Sequence, residues 1–456
     1  MPVVWTAAVA VAVAMPVPAT PARADDIPPP GKVATSANVK HLGTLPKLPG
    51  LGATTNSDIA FQDDHAYVGN YGGFSIYDIK NPARAKLVSG VLCPGYQMDV
   101  AVHGNLLFTA VDEPRSNDSC ASTALSPGAK ESWEGVRIFD VGDKSNPRYI
   151  QSVRTDCGAH TLTLVPPKGK DRENVYLYVS SYDPSASLPG CTPPHDKISV
   201  IKVPLRSPVD AAVVSTPVVF PKGGNATQSS LFMPTSGCHD ITVYPEKDIA
   251  AGACLGDGVL FDISDRERPV LTASVTDPNF AFWHSATFDN RGNKVVFADE
   301  LGGGSTATCN ESTRPTQGAD AVYEIVKGRL VFKSYFKIPR HQASSENCVA
   351  HNGSLIPVKG KDIMVQAWYQ GGVSFVDFTD PADPREFGYF ERGPEPDGKG
   401  GGIWSAYYYN GHVYASDYRR GLDVLRIDDR RTDPARRVRT DRLNVQTQGS
   451  LPERRR

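Results

Sequence analysis

The chain has 456 residues, enough for one large repeat domain or two ordinary ones. Its formal net charge of -2 gives no basis for a nucleic-acid partner. Charged residues make up 21%, with 41 Gly and 37 Pro, a balance that suits a turn-rich β protein and argues against a helical one.

Residues 1–24 read as a secretion signal. An apolar run from Val3 to Val17 is too short for a comfortable membrane span and ends in Ala22-Arg23-Ala24, an A-x-A cleavage pattern. No Lys or Arg precedes the run. No later stretch is apolar enough to span a bilayer, so the expected product is secreted, without a stable membrane span, and monomeric. Residues 25–38, rich in Pro and Ala, read as a flexible lead-in.

Repeats begin next. After Asp58 come Ile59-Ala60-Phe61, a turn, Ala66-Tyr67-Val68, Gly72-Gly73, Phe74 to Ile79, then Asn81-Pro82 and Lys86-Leu87-Val88-Ser89. Four short strands recurring at about 40 residues or more are the signature of a propeller blade. The third strand and its turn recur most visibly, as Ile138-Phe139-Asp140-Val141, Leu260-Phe261-Asp262-Ile263 and Phe375-Val376-Asp377-Phe378, each followed by a Pro-containing turn. The recurring Asp is expected to accept backbone N–H groups of that turn.

Seven copies predict an all-β, seven-bladed β-propeller over residues 39–428. The last blade lacks a fourth strand, and Lys40 to Leu45 matches the missing one, so an N-terminal strand is expected to close the ring. Residues 429–456 are polar and Arg-rich and read as a disordered tail. The apolar-apolar-Asp-apolar strand with its Pro turn resembles the LVIVD-repeat proteins, exported bacterial β-propellers. That resemblance implies the fold and carries no single activity with it.

Three connections between second and third strands exceed what a blade needs: Glu113 to Trp133, Asp183 to Lys197 and Gly302 to Ala319. Eight cysteines in an exported chain imply disulfides. Four precede inner strands and four lie in or near those connections. Bridges between the two sets are expected, with Cys238–Cys254 and Cys309–Cys348 as the short-range choices.

One column organises the repeats. Seven inner strands open on Ser57-Asp58, Met98-Asp99, His160-Thr161, His239-Asp240, His284-Ser285, His351-Asn352 and Trp404-Ser405. The second position is always small and polar. The first is histidine in four consecutive blades of a chain with ten histidines. Inner strands surround the propeller axis, so His160, His239, His284 and His351 are expected to converge on a transition metal, with Fe(II) or Cu favoured and Zn possible. This arrangement is similar in geometry to the carotenoid cleavage oxygenases, which hold iron on four axial histidines, although no sequence motif is shared. Asp183, Asp299 and Glu300 are candidates to orient a ligand or act as acid or base. Trp283, Trp368, Tyr369 and Trp404 are candidates to line an apolar pocket. The reading is an exported metal-dependent oxidoreductase or oxygenase for a small molecule. The alternative is a non-enzymatic extracellular binding or scaffold propeller with structural histidines or structural zinc, since repeats also keep polar residues for architecture alone.

Overall fold

A computed structural model describes residues 27–126, 129–169, 172–181, 191, 197–226, 235–310, 312–340 and 343–451. Seven antiparallel sheets follow one another along the chain. Their inner strands are Asn56–Gln62, Val100–His103, Thr161–Val165, Asp240–Tyr244, Trp283–Phe288, Gly353–Ile356 and Ile403–Tyr409. These define blades 1 to 7 in chain order, and the expected seven-bladed β-propeller is present. The proposed signal, residues 1–24, lies outside the described residues.

Burial follows from position in the ring. Inner strands such as Thr161–Val165 and Trp283–Phe288 are buried at every residue, because each is packed between neighbouring blades. The outer strand Val270–Val275 alternates between exposed and half-buried positions, as one covered face requires. The recurring Asp does what the sequence suggested. Asp78, Asp140, Asp262 and Asp377 each accept the backbone N–H two residues later, at 3.0, 2.8, 2.7 and 3.1 Å.

The ring closes through Val39–Leu45, which pairs with Gly421–Ile427 from Val39↔Ile427 to Leu45↔Leu422. The last sheet therefore holds three C-terminal strands and one N-terminal strand, and its edge is covered.

Two expectations are corrected. The lead-in 25–38 is not wholly irregular: Val33–Thr35 adds a fifth strand to blade 6, pairing with residues 390–392. Nor is the Arg-rich segment a loose tail. Arg442 and Leu443 pair with Gln62 and Phe61 of blade 1. The chain then crosses the axis at the far ends of the inner strands. Asn444 exchanges two hydrogen bonds with the backbone of Val102, at 2.8 and 3.0 Å. Val243 donates to the Gln446 carbonyl at 2.7 Å and accepts from the Gln448 N–H at 2.9 Å. Phe288 N–H donates to Gln448 Oε1 at 2.6 Å. Charge-rich composition suggested solvation, but Arg431 and Arg436 are paired with Asp429 and Asp428. The free backbone groups at the channel floor give the segment something to bind.

All eight cysteines are paired, as Cys93–Cys120, Cys157–Cys191, Cys238–Cys254 and Cys309–Cys348. Each bridge joins one cysteine ahead of an inner strand to one in or near a connection. Both short-range choices were right. Among the described residues, no helix is long and apolar enough to cross a membrane.

Candidate metal centre

The four column histidines stand side by side at the start of the inner strands of blades 3 to 6. Successive ring centroids are 4.3, 4.1 and 4.1 Å apart, from His160 to His239, His284 and His351. All four are buried, none more than 4% exposed. Burial holds the rings of His160 and His284 well below the usual histidine range, helped by repulsion from the His239 ring. It pushes His351 down to about 3. Near neutral pH these rings are uncharged and carry the lone pair that a metal requires.

The arc divides into two groups of close donor atoms. His239, Asp240 and His284 bring one ligand atom each within 4.8 Å of one another, and so do His284, Glu300 and His351. Among the described residues no such group contains all four histidines. His160 instead turns its Nε2 to His239 Nε2 at 2.6 Å, and its Nδ1 to Asp112 Oδ2 at 2.6 Å. His239 Nδ1 lies 3.0 Å from Asp240 Oδ1.

The second group, nearest the channel mouth, has the donors best prepared for a cation. His351 Nδ1–H donates to the Trp404 carbonyl at 2.5 Å, which leaves the lone pair on Nε2. That Nε2 is buried without a hydrogen-bond partner and lies 3.8 Å from Glu300 Oε1. His284 Nε2 lies 3.8 Å from Glu300 Oε2, and its Nδ1 is also buried and unpartnered. The Tyr369 hydroxyl donates to Glu300 Oε1. Burial pushes the Glu300 carboxyl up to about 7, against the opposing influence of His239 and Tyr369. Gly304 explains part of the glycine run in this loop. At φ 72°, a Cβ there would sit 2.5 Å from the Tyr369 hydroxyl and 2.9 Å from Glu300 Oε1.

A cavity of about 380 Å³ opens above this group, lined by His239, His284, Glu300, His351, Phe282, Tyr369, Trp404 and Tyr418 among others. Gly302, Gly303 and Ser305 of the blade 5 insertion also line it, so that long loop does share the histidine face. The aromatic wall is continuous. The His351 ring lies 4.6 Å from Tyr369 and 4.7 Å from Trp404, and Tyr418 stacks on Tyr369 at 5.7 Å.

The other candidates separate cleanly. Asp299 faces away from the histidines and accepts from the N–H groups of Ala281, Phe282 and Gly318 at 2.9, 2.9 and 2.7 Å. It is a loop staple. Trp283 and Trp368 are fully buried in the packing between blades 4 and 5 and between blades 5 and 6. Of the four proposed lining residues, only Tyr369 and Trp404 reach the cavity. Asp183 lies outside the described residues. Asp112 and Tyr418 were missed, although a signal existed. In several blades the second strand pairs with the small polar column residue, as in Ser285↔Ala298, Asp240↔Ala253 and Ser405↔Ser416. Two residues beyond that partner stand Asp112, Leu255, Glu300, Tyr369 and Tyr418. This is a second column facing the mouth.

Comparison with known proteins supports the fold. No curated protein matches the chain. A hydrazine synthase structure from Kuenenia stuttgartiensis superposes with a TM-score of 0.51 at 10% identity, covering 80% of this chain and 93% of that one. A functionally unknown protein from Desulfotomaculum acetoxidans gives 0.46 at 11% identity, covering 73% and 84%. At 10% identity the likeness to the hydrazine synthase structure is one of fold alone. Residues 55–92, blade 1 together with the approach to it, match the LVIVD repeat model, so the chain is a seven-bladed propeller carrying an LVIVD repeat.

Proposed function

We propose that the channel mouth binds one transition-metal ion through His284, His351 and Glu300, and that the protein is an exported metal-dependent oxidoreductase. The observation that carries this is the buried, unpartnered Nε2 of His351 in a group with His284 and Glu300 whose ligand atoms lie within 4.8 Å of one another. Buried polar atoms without partners are rare and ask for an explanation, and a cation supplies one. Two histidines with one carboxylate form the donor set that suits iron(II) and leaves positions open for reactants. Copper or zinc remains compatible with the same nitrogens. The metal, when bound, supplies Lewis-acid or redox chemistry.

The chain's own residues supply the rest. Trp404, Tyr369, Tyr418 and Phe282 would bind a small, largely apolar substrate and exclude water. Tyr369 positions Glu300 by its hydrogen bond. The Asp112 carboxyl, pushed up to about 7 by burial, lies 2.6 Å from His160 Nδ1 and holds that ring in place. The four disulfides support an extracytoplasmic setting.

One observation favours a second reading. His160 and His239 satisfy each other by a direct contact at 2.6 Å, so at least that pair can serve architecture alone, as in a non-enzymatic binding propeller. Elemental analysis of untagged protein separates the two. Iron or copper near one per chain supports the enzyme, zinc a structural site, and no metal the binding propeller.

A further inference from the structure

Beneath the histidines the channel narrows to a chamber of about 20 Å³, room for a single water-sized particle. His239 and His284 form its roof, and Asp58, Asp99, Asp240 and Asn352 line it. No lysine or arginine is among the described lining residues. Three carboxylates thus meet in a buried space without a cationic side chain, an expensive arrangement unless the charge is compensated.

Burial pushes the Asp58 and Asp99 carboxyls up, and donors from the surrounding chain oppose that shift. Asp58 Oδ1 accepts from the Tyr407 hydroxyl at 2.5 Å and from Ser405 Oγ at 3.3 Å. Asp99 accepts from the N–H groups of Val100 and Leu162 at 3.0 and 2.7 Å. The side chains of Asp58 and Asp99 are in direct contact. One oxygen remains over. Asn352 Oδ1 is buried without any hydrogen-bond partner, in a residue only 8% exposed. Asn352 carries no charge, so its bare oxygen is an independent sign that something electropositive belongs in the chamber.

We propose that this chamber holds one hard divalent cation, calcium by ligand type, bound by oxygens of Asp58, Asp99 and Asn352. Carboxylate and amide oxygens are what calcium selects, whereas the nitrogen donors above them select softer ions. The axis would then carry two stacked sites of different chemistry, with the adjacent residues His351 and Asn352 serving one each. The lower ion would tie blades 1, 2 and 6 together across the axis.

The test uses the full chain, stripped with EDTA and titrated with calcium chloride by calorimetry, with melting curves in parallel. The expected result is one calcium per chain and a higher melting temperature with calcium. Asp58→Asn, which keeps the shape, should weaken calcium at least tenfold, and Asp99→Asn should do the same if the first variant folds poorly. His351→Gln should bind calcium as wild type does, which separates this site from the one above. No calcium uptake by the wild type would overturn the proposal. So would equal calcium affinity in the Asp58→Asn and wild-type proteins, or a calcium-independent rise in stability in Asp58→Asn. That last result would mean the two carboxyls simply share a proton.

Discussion

The two ends of the axial channel are built from the same seven strands and end in opposite ways. At the far end, the inner strands finish with free backbone groups, and the chain's own C-terminal segment satisfies them through Asn444, Gln446 and Gln448. At the mouth, nitrogens of His284 and His351 are left buried without partners, although loops and disulfides crowd around them. The C-terminal segment thus covers the far ends of the inner strands of blades 2, 4 and 5. The unpartnered nitrogens of the mouth are the ground for the metal site proposed there.

The largest expected effect breaks the sealed end. Deleting residues 440–456 removes about six hydrogen bonds to the inner strands, roughly 3–6 kcal/mol at about 1 kcal/mol net each. The truncated protein should melt well below the full chain and show faster hydrogen exchange at Val102, Val243 and Phe288. Equal melting points would mean that the segment only rests on the floor.

The next effect sharpens the mouth. Gly304→Ala places a methyl group against the Tyr369–Glu300 pair at a left-handed backbone position. It should cost about 1–2 kcal/mol in a chemical melt and lower metal affinity at least tenfold, by displacing Glu300. A change in stability with unaltered metal uptake would detach the loop from the site. Trp404→Ala is expected to weaken binding of a hydrophobic dye or apolar ligand to the cavity while metal content stays near that of the wild type. Loss of both together would show instead that Trp404 holds His351 through its carbonyl environment.

The smallest effect is one of pH. His351 is held neutral down to about pH 3, whereas an unfolded histidine takes a proton near pH 6.5. Its folded pKa is depressed, so its contribution to stability is complete above about pH 6.5 and is lost as the pH falls toward 3. In metal-free protein, His351→Gln should therefore lose less stability than wild type between pH 6.5 and 4. Parallel acid slopes in guanidinium melts would contradict the burial of an unprotonated ring.

How much of this was legible in the sequence depended on whether the signal repeated. The blades, the closing strand at Val39–Leu45, the turn aspartates and the histidine column all recur, so their period exposed them. The disulfides followed from placing cysteines on that frame. Val33–Thr35 and Leu443 pair with strands more than 350 residues away, and no local pattern announces such contacts. Adjacent residues were the other blind spot. Asp299 and Glu300, or Trp368 and Tyr369, look equivalent in a list, yet in an extended chain neighbours point to opposite sides. One of each pair staples or packs, and the other faces the cavity. The four histidines were seen as one ligand set because the column is regular. The structure gives His160 to Asp112 and His239, and groups Glu300 with His284 and His351 alone.

The central claim, a metal held by His284, His351 and Glu300, is tested most directly by elemental analysis of untagged full-length protein beside its Glu300→Gln variant. Glu300→Gln keeps size and shape and removes one anionic ligand. The account predicts close to one transition-metal ion per wild-type chain, and at least a tenfold loss of occupancy in the variant at unchanged fold. A metal-free wild type, or a variant that retains the metal in full, would contradict it.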